Sequence, residues 1–123
     1  MDRISSVEDL EVFKKSHALT LKIYSISKEF PSEERFGLIP QIRRAAASIG
    51  ANLMEGSHRL NRKEFRQFAG IAKGSAGELK YHLLLAKDLG YLSAEKYQEM
   101  RLGVEEISKM LNGLIRSLSD TKR

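Results

Sequence analysis

Few residues in this chain could do covalent or metal chemistry, and their spacing narrows the field. His17, His58 and His82 are scattered, with no pair at metal-ligand spacing. A di-iron bundle needs Glu-x-x-His on two helices plus two further inward glutamates. Here Glu78 precedes His82 by four and has no partner motif, so no metal or other cofactor is expected. His17 falls on an apolar helix face and reads as a core or interface histidine. Ser75, in G-S-A-G, lacks the G-x-S-x-G context of a nucleophile elbow and falls inside a helical pattern. Gly70, Gly74 and Gly77 follow no strand, so they make no phosphate loop. The acidic neighbours Glu33-Glu34 and Glu105-Glu106 lack the convergent burial that a catalytic carboxylate pair requires. The chain reads as a non-enzyme.

The residue types that remain are cations. Net charge is +5 over 123 residues. Residues 35–73 hold eight Lys/Arg against two Asp/Glu, so this middle segment carries the whole excess. Such a concentration is the electrostatic footprint of a polyanion partner. The candidates for holding phosphates are Arg43, Arg44, Arg59, Arg62, Lys63, Arg66 and Lys73. The competing reading is a solvated face, in which, for example, Arg59 simply pairs with Glu55 one turn away. Exposed aromatics for base stacking look few, so contacts with nucleic acid are expected to be mostly electrostatic.

These side chains must be positioned by helices. Alternating apolar patterning with β-branched residues is missing, and the periodicity predicts four helices over about 7–30, 40–56, 62–89 and 94–119 within a single domain, 1–123. Ser6 is a plausible N-cap for the first helix, which carries two apolar stripes: Leu10, Phe13, His17, Leu21, Tyr24 and Val12, Leu19, Ile23, Ile26, Phe30. Two stripes exceed what one side of a small bundle buries, so this helix is either central or covered by another subunit. Pro31 ends it, and a connector with one helical turn around residues 32–36 leads to Pro40 at the first position of the second helix. That helix has a core stripe, Ile42, Ala46, Ile49 and Leu53, beside a small-residue strip of Ala47, Gly50, Ala51 and Met54; Gly56 and Ser57 stop it.

The third helix opens on Asn61 with Glu64 three residues on, a capping-box arrangement, and closes before Gly90. Phe65, Phe68, Ala69, Ala72, Ala76, Leu79, Leu83 and Ala86 form its core stripe. Nearly opposite lie Lys63, Arg66, Gly70, Gly74, Gly77 and Tyr81. Three mid-helix glycines cost about 1 kcal/mol each relative to alanine. Close approach of another subunit explains them better than close approach of a phosphate chain. Gly70, Gly74, Gly77, Tyr81, Ala47 and Gly50 are therefore the candidate oligomer interface. The fourth helix, capped by Ser93, carries an uninterrupted a/d seam from Tyr97 through Met100, Val104, Ile107, Leu111 and Leu114 to Leu118, with a basic tail beyond Ser119. Long helices with short connectors make an all-α, antiparallel, up-down four-helix bundle, here assembled as a homo-oligomer.

Cysteine is absent, which suits a reducing compartment. The longest uncharged run, 45–54, is too short to span a bilayer, and no basic-then-apolar leader opens the chain. The expected location is cytoplasmic, with no membrane partner.

Several motifs occur in order: L-E-V-F-K-K-S-H-A-L, then Y-S-I-S-K-E-F-P-S-E-E-R-F-G-L, then Q-I-R-R-A-A-A-S-I-G-A-N-L-M-E-G-S-H-R, then K-E-F-R-Q-F-A-G-I-A-K-G-S-A-G-E-L and L-L-L-A-K-D-L-G-Y-L. Over about residues 8–115 the chain resembles the bacterial four-helix bundle family of 23S rRNA intervening-sequence proteins. Phe13 stands where members often carry tryptophan, and Gly50 where they often carry proline, so a proline kink in the second helix is not expected. The resemblance implies a homopentamer, often with a central channel. It also implies kinship with the accessory protein of diversity-generating retroelements, a basic pentamer that binds nucleic acid and a reverse transcriptase. By the same resemblance Arg44, Asn52, Glu55, Gly56 and Arg59 belong to a signature, with Asn52 and Glu55 read as structural.

Two functions stay open at this level. One is a non-enzymatic oligomeric bundle that binds the RNA or DNA backbone through a basic patch. The alternative is a protein-interaction scaffold, for example a reverse-transcriptase accessory ring.

Overall fold

Local capping signals set where the helices begin. The computed structural model describes residues 6–119; the basic tail expected beyond Ser119 lies outside the described residues. Four α-helices account for most of them: α1 Glu11–Ser27, α2 Leu38–Ser57, α3 Arg62–Asp88 and α4 Ala94–Ser117. Short 3₁₀ turns, Val7–Asp9 and Ser32–Glu34, precede α1 and α2. There is no strand among the described residues. None of these helices is long and apolar enough to cross a membrane.

The third and fourth helices start as their sequences require. The Asn61 side chain accepts from the Glu64 N–H at 2.9 Å, and the Ser93 hydroxyl accepts from the Lys96 N–H at 3.0 Å. Gly90, at φ 85°, supplies the left-handed residue that closes α3, and the Tyr91 N–H returns to the Ala86 carbonyl. The α4 helix ends at Ser117, two residues before the expected boundary.

The first two helices depart from expectation for identifiable reasons. Ser6 caps only the first 3₁₀ turn, because Leu10 is extended (φ −74°, ψ 136°) and breaks the pattern before α1. The α1 helix also ends at Ser27 rather than Phe30. The α2 helix starts two residues before Pro40. The Glu34 side chain reaches forward to accept from the Leu38 N–H at 2.9 Å, doing the work of an N-cap. Pro40 still falls in the first turn, where no N–H is needed. Gly56 does not stop α2 by turning the chain. It is helical and buried, and a Cβ there would lie 2.7 Å from Phe68 Cβ and 2.9 Å from Phe65 Cδ1. The glycine lets α3 approach α2.

One core unites the helices. Ile23 of α1, Ile42, Ile49 and Leu53 of α2, Leu79 and Leu83 of α3, and Ile107 and Leu111 of α4 are fully buried within it. The α2–α3 contact is built largely on alanine, with Ala45, Ala46, Ala69, Ala72 and Ala76 all buried. At its margin the Ser48 and Ser75 hydroxyls share a 2.7 Å hydrogen bond, and the Asn52 amide donates to the Ser48 carbonyl and hydroxyl at 2.8 and 2.9 Å. The second stripe of α1 enters the core; of the first, His17, Leu21 and Tyr24 remain exposed. His17 is thus no core residue. Its ring lies parallel to that of Phe13, 6.3 Å between centroids.

Candidate nucleic-acid interface

The start of α3 meets the end of α4, and cations converge there. Arg62, Lys63 and Arg66, with Asn61, Leu118 and Ser119, line an open cavity of about 650 Å³. No acidic side chain lines it among the described residues. One Arg62 Nη2 donates to the Ser117 carbonyl, an orphan acceptor at the α4 terminus, which anchors that guanidinium at the cavity wall. Lys63 and Arg66 are exposed, one turn apart, and have no carboxylate partner among the described residues. Lys73, also exposed and unpaired among the described residues, lies seven residues on, about 10 Å along the same helix. The positive end of the α3 dipole adds to the field at the cavity.

Arg59 does not join this set as a free charge. Its Nε donates to Glu64 Oε1 at 3.0 Å, its Nη1 is 3.9 Å from Glu55, and its guanidinium lies 5.3 Å from the Phe68 ring centroid. Arg59 with two carboxylates is a net −1 group. Glu64 thereby supplies only one half of the capping box, because its carboxylate is spent on Arg59 rather than on the Asn61 N–H.

Arg43 and Arg44 lie elsewhere. They occupy the opposite end of α2, thirteen residues before Gly56 in the case of Arg43, about 20 Å of helix axis away. Arg43 is held in place: its Nε donates to Ser27 Oγ at 2.8 Å and its Nη2 to the Tyr24 carbonyl at 3.2 Å, with the guanidinium 4.8 Å from the Tyr24 ring centroid. Arg44 is exposed and unpaired among the described residues. The seven cations singled out in the sequence therefore form two groups rather than one patch, with Lys73 between them. Sequence reasoning passed over the residues that complete the second group. Arg35 shares a cavity of about 550 Å³ with Tyr24, Arg43 and Arg44, and Phe36 beside it is 88% exposed. The R-F pair between two prolines was the signal for it.

The interface candidates also divide. Gly70, Gly74 and Gly77 are exposed along α3, with no described atom outside the helix's own backbone within 4 Å of where a Cβ would be, and Tyr81 continues that face at 58% exposure. Ala47 and Gly50 instead wall a groove of about 370 Å³ between α1 and α2, with Phe13, His17, Tyr24 and Met54. Phe13 Cε1 already sits 3.6 Å from where a Gly50 Cβ would be. The close approach at Gly50 is therefore made by α1 of the same chain. His82 pairs with Glu78 at 3.2 Å, and no group of three or more His, Cys, Asp or Glu among the described residues could hold a metal ion.

Four helices around an aliphatic and alanine core, with cations gathered at two of their ends, define a small all-α protein with a basic surface. The chain belongs to the 23S rRNA-intervening sequence protein family, whose model matches residues 8–113. A crystal structure is also similar: a protein with unknown function from the S23 ribosomal protein family of Bacteroides thetaiotaomicron VPI-5482. It is 31% identical, with a TM-score of 0.79, over 85% of this chain and 98% of that one. No curated protein matches the chain.

Proposed function

We propose that this protein is a non-enzymatic, cytoplasmic homo-oligomer that binds RNA or DNA through the phosphate backbone. The observation that carries the reading is the cavity at the α3 N-terminus. Among the described residues three cations line it, no acid does, and Lys63 and Arg66 are free of carboxylates. Cations without local partners gain most from releasing the counterions of a polyanion. Lys73 and Arg44 extend the contact, Arg43 is held in place by Ser27 and Tyr24, and Arg59 serves mainly the protein itself.

The subunit in this reading is an antiparallel, up-down bundle. Supporting it, Lys15 pairs with Glu106 and Lys22 with Glu99, so numbering rises on α1 as it falls on α4. The α3 glycine face and the part of the α1–α2 groove lined by Phe13, Gly50 and Met54 are non-identical surfaces on one molecule. Surfaces of that kind join head to tail and close into rings, which suits a pentamer. Kinship with retroelement accessory proteins adds a reverse transcriptase as a candidate protein partner, and a pull-down that survives nuclease treatment tests it.

The test of the main reading is a binding titration with labelled 20-nucleotide RNA and DNA between about 50 and 200 mM salt. Affinity should fall steeply as salt rises, and Lys63→Glu with Arg66→Glu should abolish binding. Binding that ignores salt, or no binding at the lowest salt, removes the proposal.

A further inference from the structure

The second cationic group has a property that the cavity-lining Arg62, Lys63 and Arg66 lack: two of its guanidinium groups lie on exposed aromatic rings. The Arg35 guanidinium lies 5.0 Å from the centroid of the Phe36 ring, and the Arg43 guanidinium lies 4.8 Å from that of Tyr24. Phe36 is 88% exposed and Tyr24 41%. Arg35, Arg43, Arg44 and Tyr24 line one open cavity whose apolar wall is Ile39, Pro40 and Ala47, and no acid lines it among the described residues. Of the acids in the adjoining 3₁₀ turn, Glu33 is exposed, and Glu34 is engaged by the Leu38 N–H and the Tyr91 hydroxyl.

The packing of the chain does not account for this arrangement. A phenyl ring that is 88% exposed adds almost nothing to the core. Arg43 is fixed by two hydrogen bonds before any ligand arrives, so little side-chain entropy remains to be lost on binding. Its Nη1 makes no hydrogen bond among the described residues. The site thus presents flat apolar faces beside oriented and free guanidinium groups. That combination fits a ligand with both π-faces and phosphates. A duplex hides its base faces inside the stack, whereas an unpaired nucleotide offers them.

We infer that Phe36 and the Tyr24–Arg43 pair are stacking sites for unpaired nucleobases, with Arg44 and Arg35 on the flanking phosphates, so that the protein prefers single-stranded RNA or DNA to duplex. This deepens the polyanion reading and rests on it. The ligand class changes from any phosphate backbone to a backbone with accessible bases.

Binding of the full chain is measured to three probes of equal length: an unstructured 20-nucleotide strand, its duplex, and an abasic strand with the same phosphates. Base–aromatic stacking is worth about 1–3 kcal/mol per base, so Phe36→Ala should weaken the unstructured strand about fivefold or more. It should leave duplex binding, abasic-strand binding and the salt slope unchanged. Because Phe36 is exposed, its melting temperature should match wild type. The sequence contains no tryptophan, so Phe36→Trp introduces a single tryptophan, excited selectively apart from the four tyrosines. Its emission should be quenched by the strand and not by the abasic probe, with strand affinity retained.

Several outcomes overturn the inference. One is equal binding of the strand by wild type and Phe36→Ala; another is equal binding of the normal and abasic strands. A third is polyglutamate binding with the same dependence on Phe36, which would mark an acidic protein segment as the ligand. If salt-sensitive duplex binding persists through any of these, the backbone reading stands alone. If wild type binds none of the nucleic-acid probes, both fall.

Discussion

The Tyr91 hydroxyl donates to Glu34 Oε2 at 2.8 Å, across 57 residues of sequence. The same carboxylate accepts from the Leu38 N–H, so one side chain caps α2 and ties the α1–α2 connector to the turn after α3. The Leu38 N–H, and after it the Tyr91 hydroxyl, hold the Glu34 carboxyl below its ordinary 4.5. The hydrogen bond to Glu34, reinforced by desolvation, pushes the Tyr91 phenol above its ordinary 10.0.

These shifts give a pH dependence with a definite sign. A depressed carboxyl contributes stability above its unfolded pKa, and that contribution is lost as pH falls through the folded value. A raised phenol contributes below about 10 and loses its contribution as pH climbs through its folded value. The melting-temperature gap between wild type and Glu34→Gln should therefore be widest near neutral pH. It should shrink on acidification below the ordinary carboxyl range, and also at strongly alkaline pH. A gap that stays constant from pH 3 to 7 counts against the assignment.

Gly56 and the α3 glycines should respond oppositely to alanine. At Gly56 a methyl group meets Phe68 Cβ and Phe65, and overpacking of this kind costs about 1–3 kcal/mol. Better helix propensity returns up to about 1 kcal/mol. Gly56→Ala should lower the melting temperature by about 3–8 °C, followed by circular dichroism. At Gly70 and Gly77 no described atom outside the helix's own backbone lies within 4 Å of an added Cβ, so alanine should leave subunit helicity intact or raise it.

Gly74→Leu tests the proposed assembly. The added side chain meets no atom of its own subunit within 4 Å at Cβ, so helix content should persist. If the glycine face packs on a neighbour, light scattering should report a smaller particle than wild type. Native mass in the variant places the subunit contact elsewhere.

The free and the engaged cations should separate in a salt titration. Replacing Lys63 or Arg66 by Gln should weaken backbone binding for every sequence and reduce the salt slope by about one unit each. Arg59→Gln removes a charge already matched by Glu55 and Glu64, so it should change the slope much less. Equal effects at all three positions would mean that the Arg59 pairs open when ligand binds.

Much of the fold was legible because its signals are local. Asn61, Ser93 and Gly90 each act within a few residues, and the a/d seam of α4 reads directly as its buried face. The misread boundaries involve longer reach. Glu34 caps a helix four residues away, and Gly56 makes sense only once Phe65 and Phe68 are known to lie over it. The site was legible by residue type and not by grouping. Nothing in the order of residues says that Arg59 will turn to Glu64, that Arg43 will turn to Ser27, or that His17 will face outward. Those choices depend on which helix ends are brought together. Arg35 and Phe36 escaped notice because they belong to a connector, where helical periodicity carries no information.

The Ser48, Ser75 and Asn52 hydrogen bonds bear on how α2 finds its alignment with α3. Alanine-lined helices are smooth along much of their contact, so the relative height of α2 and α3 is set by a few features, among them Gly56 under Phe65 and Phe68. A slide would break the Ser48–Ser75 hydrogen bond, the one of these that crosses between the helices. The Ser48–Ser75 pair, with Asn52 steadying Ser48 from within α2, therefore acts as a vernier mark, adding less to total stability than to the uniqueness of the alignment.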